Sequence, residues 1–523
     1  MTGDWWRDAV IYQVYVRSFA DSDGDGIGDL PGITARLPHL SGLGVDALWI
    51  TPFYTSPMAD GGYDVADYRD VDPTLGTLDD ARELVAQAHR QGLKVIVDIV
   101  PNHTSARHRW FQEAVAAEPG SAARERYVFR DSGENPPNDW ESVFGGGAWT
   151  RLPDGQWYLH LFDPTQPDLN WHNPEVRAEF LDVLRFWLDL GVDGFRIDVA
   201  HGMVKQDGLP DVGETRQHRL LDTRPLPYFD QDGVHEIYRD WREVLDSYEP
   251  TRVAVAEAWT STPERLARYL RPDELHTAFN FHFLATAWAA PALREVIDSS
   301  LAAVRPIGAP ATWVLSNHDV HRHATRYGGG AEGVRRARAA TLLMLALPGS
   351  VYLYQGEELG LEEVLDLPED LLQDPTWERS GRTDRGRDGC RVPIPWGAGG
   401  SALGFGPDGS TPWLPQPAAW AGLSVEAQTG AEGSTLELYR GALAIRREHP
   451  ALGAGDTLRW QDADAPLLWF SRTAGGRTLH CAVNLGAEPA RLPAGAVLLA
   501  SGEYAHDGAD LVLPRDTAVW WES

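Results

Sequence analysis

Cysteine, lysine and long apolar runs are all scarce in this 523-residue chain. Only Cys390 and Cys481 are present. Two cysteines cannot staple a chain of this size, so a disulfide-framed extracellular fold is excluded and a reducing compartment is expected. No stretch reaches the ~18 consecutive apolar residues that a membrane helix needs. The opening residues, Met-Thr-Gly-Asp-Trp-Trp-Arg-Asp, put no basic region ahead of an apolar core, so no secretory leader is read and a cytoplasmic location is expected. Lysine occurs only at positions 94 and 205 among 46 basic residues, a bias read as genomic. Facing those bases are 76 acidic residues, for a formal net charge of −30. Such a balance argues against nucleic acid and membrane surfaces as partners, since both require a basic face. A neutral or cationic small ligand fits better, on a monomer or homodimer. The length exceeds what one hydrophobic core fills, so several domains are expected.

Short, β-branched apolar runs recur along the chain: AVIYQVYV (9–16), ALWITPF (47–53), KVIVDIV (94–100), GFRIDVA (194–200), RVAVAEAW (252–259), HTAFNFHF (276–283), TWVLSN (312–317) and SVYLYQG (350–356). Amphipathic segments separate them. In 77–92, Thr77 is placed to cap a helix, Leu84, Val85 and Ala88 share a face, and Gly92 stops it. In 174–191, Pro174 opens a helix with Val176, Phe180, Val183, Leu184 and Trp187 in one stripe, and Gly191 ends it. Continuous apolar strands alternating with such helices predict a parallel sheet covered on both faces. Eight units without a Gly-rich dinucleotide turn predict an α/β fold, a (β/α)₈ TIM barrel. Two long irregular stretches interrupt the rhythm. The expected organisation is a barrel over 1–103 and 172–452, with an inserted B domain at 104–171 after the third strand and an excursion at 361–430 after the eighth. Alternating runs and Gly/Asp turns over 453–523 predict a C-terminal antiparallel β-sandwich.

Barrels of this kind carry their functional groups at the C-terminal ends of the strands. Those ends hold Asp98, Asn102 and His103; Arg196 and Asp198; Glu257; and Asn317, His318 and Asp319. Carboxylates in otherwise apolar strands are costly without a purpose, and perturbed acids of this sort concentrate at catalytic sites. Two of them can divide the work of glycoside cleavage, one as proton donor and one as an ionised group on the opposite face of the sugar. Arg196, two residues before Asp198 on the same strand face, is expected to hold Asp198 ionised. The apolar run around Glu257 suits a carboxyl that keeps its proton.

The segments DIVPNH (98–103), GFRIDVAH (194–201), AEAW (256–259) and SNHD (316–319) resemble the four signature regions of the α-amylase family, glycoside hydrolase family 13. The resemblance implies Asp198 as nucleophile, Glu257 as general acid/base and Asp319 as the carboxylate that distorts the sugar. It likewise implies His103, Arg196 and His318 as sugar-binding and charge-orienting residues. QPDLN (166–170) and ADGGYDVADY (59–68) resemble the α-glucosidase and oligo-1,6-glucosidase branch, where Asp60 would grip the non-reducing end and Tyr63 would stack on the ring. RDGCRVPIPW (387–396) resembles the segment in which Arg387 pairs with that Asp and closes the pocket. Phe144, Phe162 and Gln166 match pocket-lining positions.

DSDGDGIGDL (21–30) offers Asp21, Asp23, Asp25 and Asp29, hard oxygen ligands at alternating positions, with Ile27 a further member of the loop. Gly32 stands where an EF-hand needs Glu. The loop resembles that branch's metal site, implying one structural Ca²⁺ or Mg²⁺ and no organic cofactor. The resemblance as a whole implies an exo-acting retaining α-glucosidase working on short α-1,4 or α-1,6 glucosides such as maltose, isomaltose or sucrose. An α-glucosyl transferase or sugar isomerase on the same scaffold is the alternative, and a non-catalytic structural barrel the remote one. Val199, after the nucleophile position, resembles the α-1,6-preferring version.

Overall fold

In a computed structural model describing residues 4–214, 226–453, 457–463 and 466–523, each of the eight apolar runs contains a strand. They are β1 (Val10–Val14), β2 (Ala47–Ile50), β3 (Lys94–Ile99), β4 (Gly194–Ile197), β5 (Val253–Ala256), β6 (Thr277–Ala278), β7 (Thr312–Val314) and β8 (Ser350–Tyr354). All neighbouring pairs are parallel, in the order β6-β5-β4-β3-β2-β1-β8-β7. The ring closes between β6 and β7, where the Asn280 N–H donates to the Thr312 carbonyl at 3.1 Å. The first three residues, part of the stretch read for a leader, lie outside the described residues.

The sixth run is a correction. Its strand spans two residues, and Phe281–Ala285, expected to continue it, is helical. The Asn280 side chain accepts from the Phe283 N–H and caps that turn, and an Asn cap overrides the β-propensity of the flanking phenylalanines. The helices follow their end signals. Thr77 forms a capping box with Asp80 on the helix Leu78–Arg90. Asn173 caps Pro174–Leu190, whose buried stripe is the predicted one, and Gly191 ends it at φ 115°.

Strand periodicity divides the interior in two. Val10, Tyr12, Val14, Leu48, Ile50, Val95, Val97, Phe195 and Ile197 face the helical layer. Ile11, Ala47, Trp49, Ile96, Val253, Val255, Val314 and Tyr352 fill the barrel. Stepping by two along the inward set leads to Gln13 on β1, Asp98 on β3, Arg196 on β4, Asp198 just after β4 and Glu257 after β5. The apolar plug is therefore topped by a polar layer at its C-terminal end, and the site stands on rigid strands.

Over that end lies a small antiparallel sheet, Phe129–Arg130, Trp157–Leu159 and Trp149–Arg151, with the middle segment central. The stretch after β8 reaches across to it, where Arg379 donates to the Gly145 carbonyl. Near the C-terminus, a five-stranded and a three-stranded antiparallel sheet pack face to face through Ala482, Leu492, Leu511, Leu513, Val519 and Trp521. Adjacent residues Trp520 and Trp521 point to opposite faces, as period two requires. Trp520 docks on the barrel helix Gly330–Ala346, donating its indole N–H to the Leu342 carbonyl at 3.1 Å.

Candidate active site

Three carboxylates of the polar layer meet on one guanidinium. Arg196, 1 % exposed, donates from Nη1 to Asp98 Oδ1 at 2.9 Å and to Asp198 Oδ1 at 2.6 Å. Its Nη2 lies 2.8 Å from Glu257 Oε2. Asp98 is further held by the Trp49 indole and the Tyr63 hydroxyl, at 3.1 and 3.0 Å. Past β4 the chain turns sharply. Val199 sits at φ 44°, a strained position for a β-branched residue, and its N–H donates to Glu257 Oε2 at 2.9 Å. The Trp259 indole donates to the other Glu257 oxygen at 3.1 Å.

Three buried carboxylates thus share one buried cation. Burial pushes Asp98 up to about 7, with Arg196 opposing it. Burial likewise pushes Asp198 well above the carboxylate range; Arg196 opposes this too, while Glu257, Asp98 and Asp319 add to the rise. Arg196 thus acts on Asp198 in the expected direction, against the burial and the neighbouring carboxylates. Asp319 behaves oppositely. Burial alone would raise it, but Arg387 at 3.0 Å and Arg391 at 3.1 Å, both on Oδ1, hold it well below the usual range. His318, 3.4 Å from Asp319 Oδ2, is kept neutral by its own burial, so the arginines carry that effect.

A cavity of about 350 Å³ opens over these groups. Asp60, Tyr63, His103, Phe144, Phe162, Asp198, Glu257, His318, Asp319 and Arg387 all line it, as expected from sequence. Arg196 and Gln166 do not line it and support it from behind, Gln166 donating to Asp60 Oδ2 at 3.0 Å. Arg387 closes one end, with Nη2 on Asp60 Oδ1 at 2.7 Å and Nη1 on Asp319 Oδ1. Its guanidinium lies over the Phe144 ring at 4.9 Å. The Tyr63 ring stacks on His318 at 5.1 Å and 11°, so one face of it is already occupied. His103, under Phe162 at 5.1 Å, is pushed down to about 4 by burial and is neutral.

Several functional groups escaped the sequence reading. Asp374, 3 % exposed, anchors Arg387 Nε, and Arg391 shares Asp319. Both lie in the irregular stretch after β8, where no periodicity marks a direction. Trp259 had a usable signal, since two residues after Glu257 places it on the same side. Phe229, His201, Val320 and His321 also line the wall.

Residues 13–455 match the family described as "Alpha amylase, catalytic domain". The chain belongs to the alpha-amylase family. Residues 454–520 match a domain of unknown function, DUF3459. Among alpha-amylase relatives, a probable alpha-glucosidase of Rhizobium meliloti (strain 1021) is 42% identical, over 93% of this chain and 90% of that protein. A trehalose-6-phosphate hydrolase of Escherichia coli (strain K12) is 37% identical, over 92% and 91%. The crystal structure of an alpha-glucosyl transfer enzyme, XgtA, superposes with a TM-score of 0.88 at 40% identity, covering 99% of each chain.

In this alpha-amylase family chain the acidic loop after β1 is only partly as expected. Carboxylate oxygens of Asp21, Asp23 and Asp29 lie within 4.8 Å of one another. Asp25 is outside the group, and its Oδ1 accepts from the Ile27 N–H at 2.8 Å. Asp21 Oδ1 and Oδ2 accept from Gly24 and Gly26 N–H groups, and Asp29 from Ser22 and Gly32. None of the three forms an ion pair among the described residues, so the donor set suits a hard divalent cation.

Proposed function

We propose that this chain is an exo-acting retaining α-glucosidase that takes one terminal glucose at a time from short α-glucosides. The observation that carries the reading is the closed end of the cavity. The Asp60–Arg387–Asp319 bridge blocks passage of a longer chain beyond the ring that reaches Asp198 and Glu257. Glu257 donates its proton to the glycosidic oxygen while Asp198 attacks C1, forming a glucosyl ester and releasing the remaining alcohol. Glu257, now ionised, takes a proton from water as that water attacks C1, and Asp198 leaves as carboxylate. Asp319, fixed by two arginines, and neutral His103 and His318 grip sugar hydroxyls. Asp21, Asp23 and Asp29 would hold the structural Ca²⁺ or Mg²⁺, which would cross-link the loop by charge and enters no step. Cys390 and Cys481 are both buried and unpaired, which supports a cytoplasmic setting. No described helix is long and apolar enough to cross a membrane.

Phosphorylated substrates fit poorly. Among the described lining residues Asp60, Asp198, Glu257, Asp319 and Asp384 are acidic, and Arg387 is already engaged by three carboxylates. Transfer of glucose to a sugar acceptor is the second reading, supported by the likeness to the transfer enzyme, because both outcomes share the glucosyl ester and differ in which nucleophile arrives.

Maltose, isomaltose and sucrose are expected to release glucose, with isomaltose favoured through Val199, while starch and trehalose 6-phosphate are cleaved at least about 100-fold less efficiently, a gap of about 2.7 kcal/mol in transition-state binding. Product chromatography over time checks this. Rapid mid-chain cleavage of starch would sink the exo reading, and oligosaccharides outweighing free glucose would favour transfer.

A further inference from the structure

Arg387 reaches the pocket from the irregular stretch after β8, yet its backbone and its side chain are both pinned there. Asp374, thirteen residues upstream, supplies the hold. Its carboxylate is fully buried, and Oδ2 accepts from the Arg387 backbone N–H at 2.9 Å and from Arg387 Nε. The other oxygen accepts from the Thr376 N–H at 2.8 Å and caps the short helix Pro375–Arg379. The Asp374 N–H in turn donates to Asp388 Oδ2 at 3.0 Å, next to Arg387 in sequence. Gly386, at φ 66°, passes so near that a Cβ there would stand 2.5 Å from Asp374 Cγ. Only glycine meets both demands at that position.

The hold decides how the guanidinium spends its donors. Left free, a guanidinium favours one carboxylate, held through two parallel N–H bonds. Here the edge formed by Nε and Nη2 is divided, Nε going to Asp374 and Nη2 to Asp60 at 2.7 Å. Nη1 is thereby turned to Asp319 at 3.0 Å, and the bridge across the end of the pocket is complete. Without Asp374 the whole edge is free to close on Asp60, which carries Nη1 off Asp319 and opens the bridge. We infer that Asp374 is a positioning residue that, through Arg387, holds the pocket shut behind the terminal glucose and so confines cleavage to one glucose at a time. The inference rests on the closed-pocket reading above and adds to it the group on which closure depends.

The test compares first products from p-nitrophenyl α-maltoside, resolved by chromatography. Asp374→Asn keeps an oxygen for the Thr376 N–H and turns an amide NH₂ toward Arg387 Nε, so it loosens the arginine without removing the cap. The wild type is expected to release glucose first. In Asp374→Asn the ratio of maltose to glucose among first products is expected to rise at least about tenfold, and kcat/KM for maltose to fall about tenfold. In an Arg387→Ala background the same substitution is expected to change neither quantity by more than about twofold, because the two residues act as a unit. Gly386→Ala, which leaves both charges in place and crowds the Asp374 carboxyl, is expected to raise the ratio as well, and keeps the test open if Asp374→Asn does not fold. An unchanged ratio in either folded single variant overturns the inference, as does an equal effect of Asp374→Asn with and without Arg387. A wild type that releases maltose first would fail the closed-pocket reading and the inference with it, whereas an equal effect in an enzyme that releases only glucose first fails the inference alone.

Discussion

Asp198→Asn is expected to lower kcat on maltose by roughly four orders of magnitude or more, about 5.4 kcal/mol of barrier, with little change in melting temperature. The carboxylate is the only group in the proposed scheme that bonds to C1, and an amide of the same shape cannot displace the leaving alcohol. The fold tolerates the change because Asp198 contributes little to packing. Its backbone N–H, which donates to the Ile99 carbonyl at 2.9 Å, is untouched, and the amide still offers Arg196 an oxygen. Removing one negative charge beside Asp98 and Glu257 also relieves repulsion. Steady-state assays with circular dichroism melts check both halves. Wild-type turnover in Asp198→Asn would reassign the nucleophile.

Arg196→Met is expected to destabilise the protein by about 3–5 kcal/mol near pH 8 and to abolish activity, because it leaves Asp98, Asp198 and Glu257 buried without their common cation. The sign of its pH dependence follows from the raised carboxyls. Asp98 already titrates at about 7 in the folded protein, against about 3.9 in an unfolded chain, and loss of Arg196 raises it further. Between those values the native state binds more protons than the unfolded state, so stability is full below about pH 4 and is lost as pH rises through the folded value. The variant should therefore lie nearest to wild type in mild acid and fall away toward pH 8. Denaturant melts at several pH values measure this. A deficit that shrinks with rising pH would contradict the shared-cation account.

Much of this site could be read from sequence because the strands are short, apolar and regular. In GFRIDVA and VAVAEAW every second residue faces inward, so Arg196, Asp198 and Glu257 stand out as charges where periodicity demands apolar groups. Asp60 and Arg387 were reached through the resemblance of their segments, and the two lie 2.7 Å apart in the structure. What remained hidden lies where periodicity is missing. Phe129–Arg130 is a two-residue strand, below the length at which alternation registers. Asp374 and Arg391 act from irregular loops across the chain. The crowding around Asp198 was hidden, because sequence shows Arg196 beside it but not Asp98 and Glu257 drawing on the same guanidinium.

The most direct test of the central claim is to trap the glucosyl ester. Incubation with 5-fluoro-α-D-glucosyl fluoride, which slows hydrolysis of the ester more than its formation, followed by peptic digestion and mass spectrometry, is expected to show one fluoroglucosyl group on the peptide containing Asp198, with fragmentation assigning it to that residue. A label on another carboxylate, or an enzyme that turns over maltose while acquiring no label, would contradict Asp198 as the nucleophile of a retaining α-glucosidase.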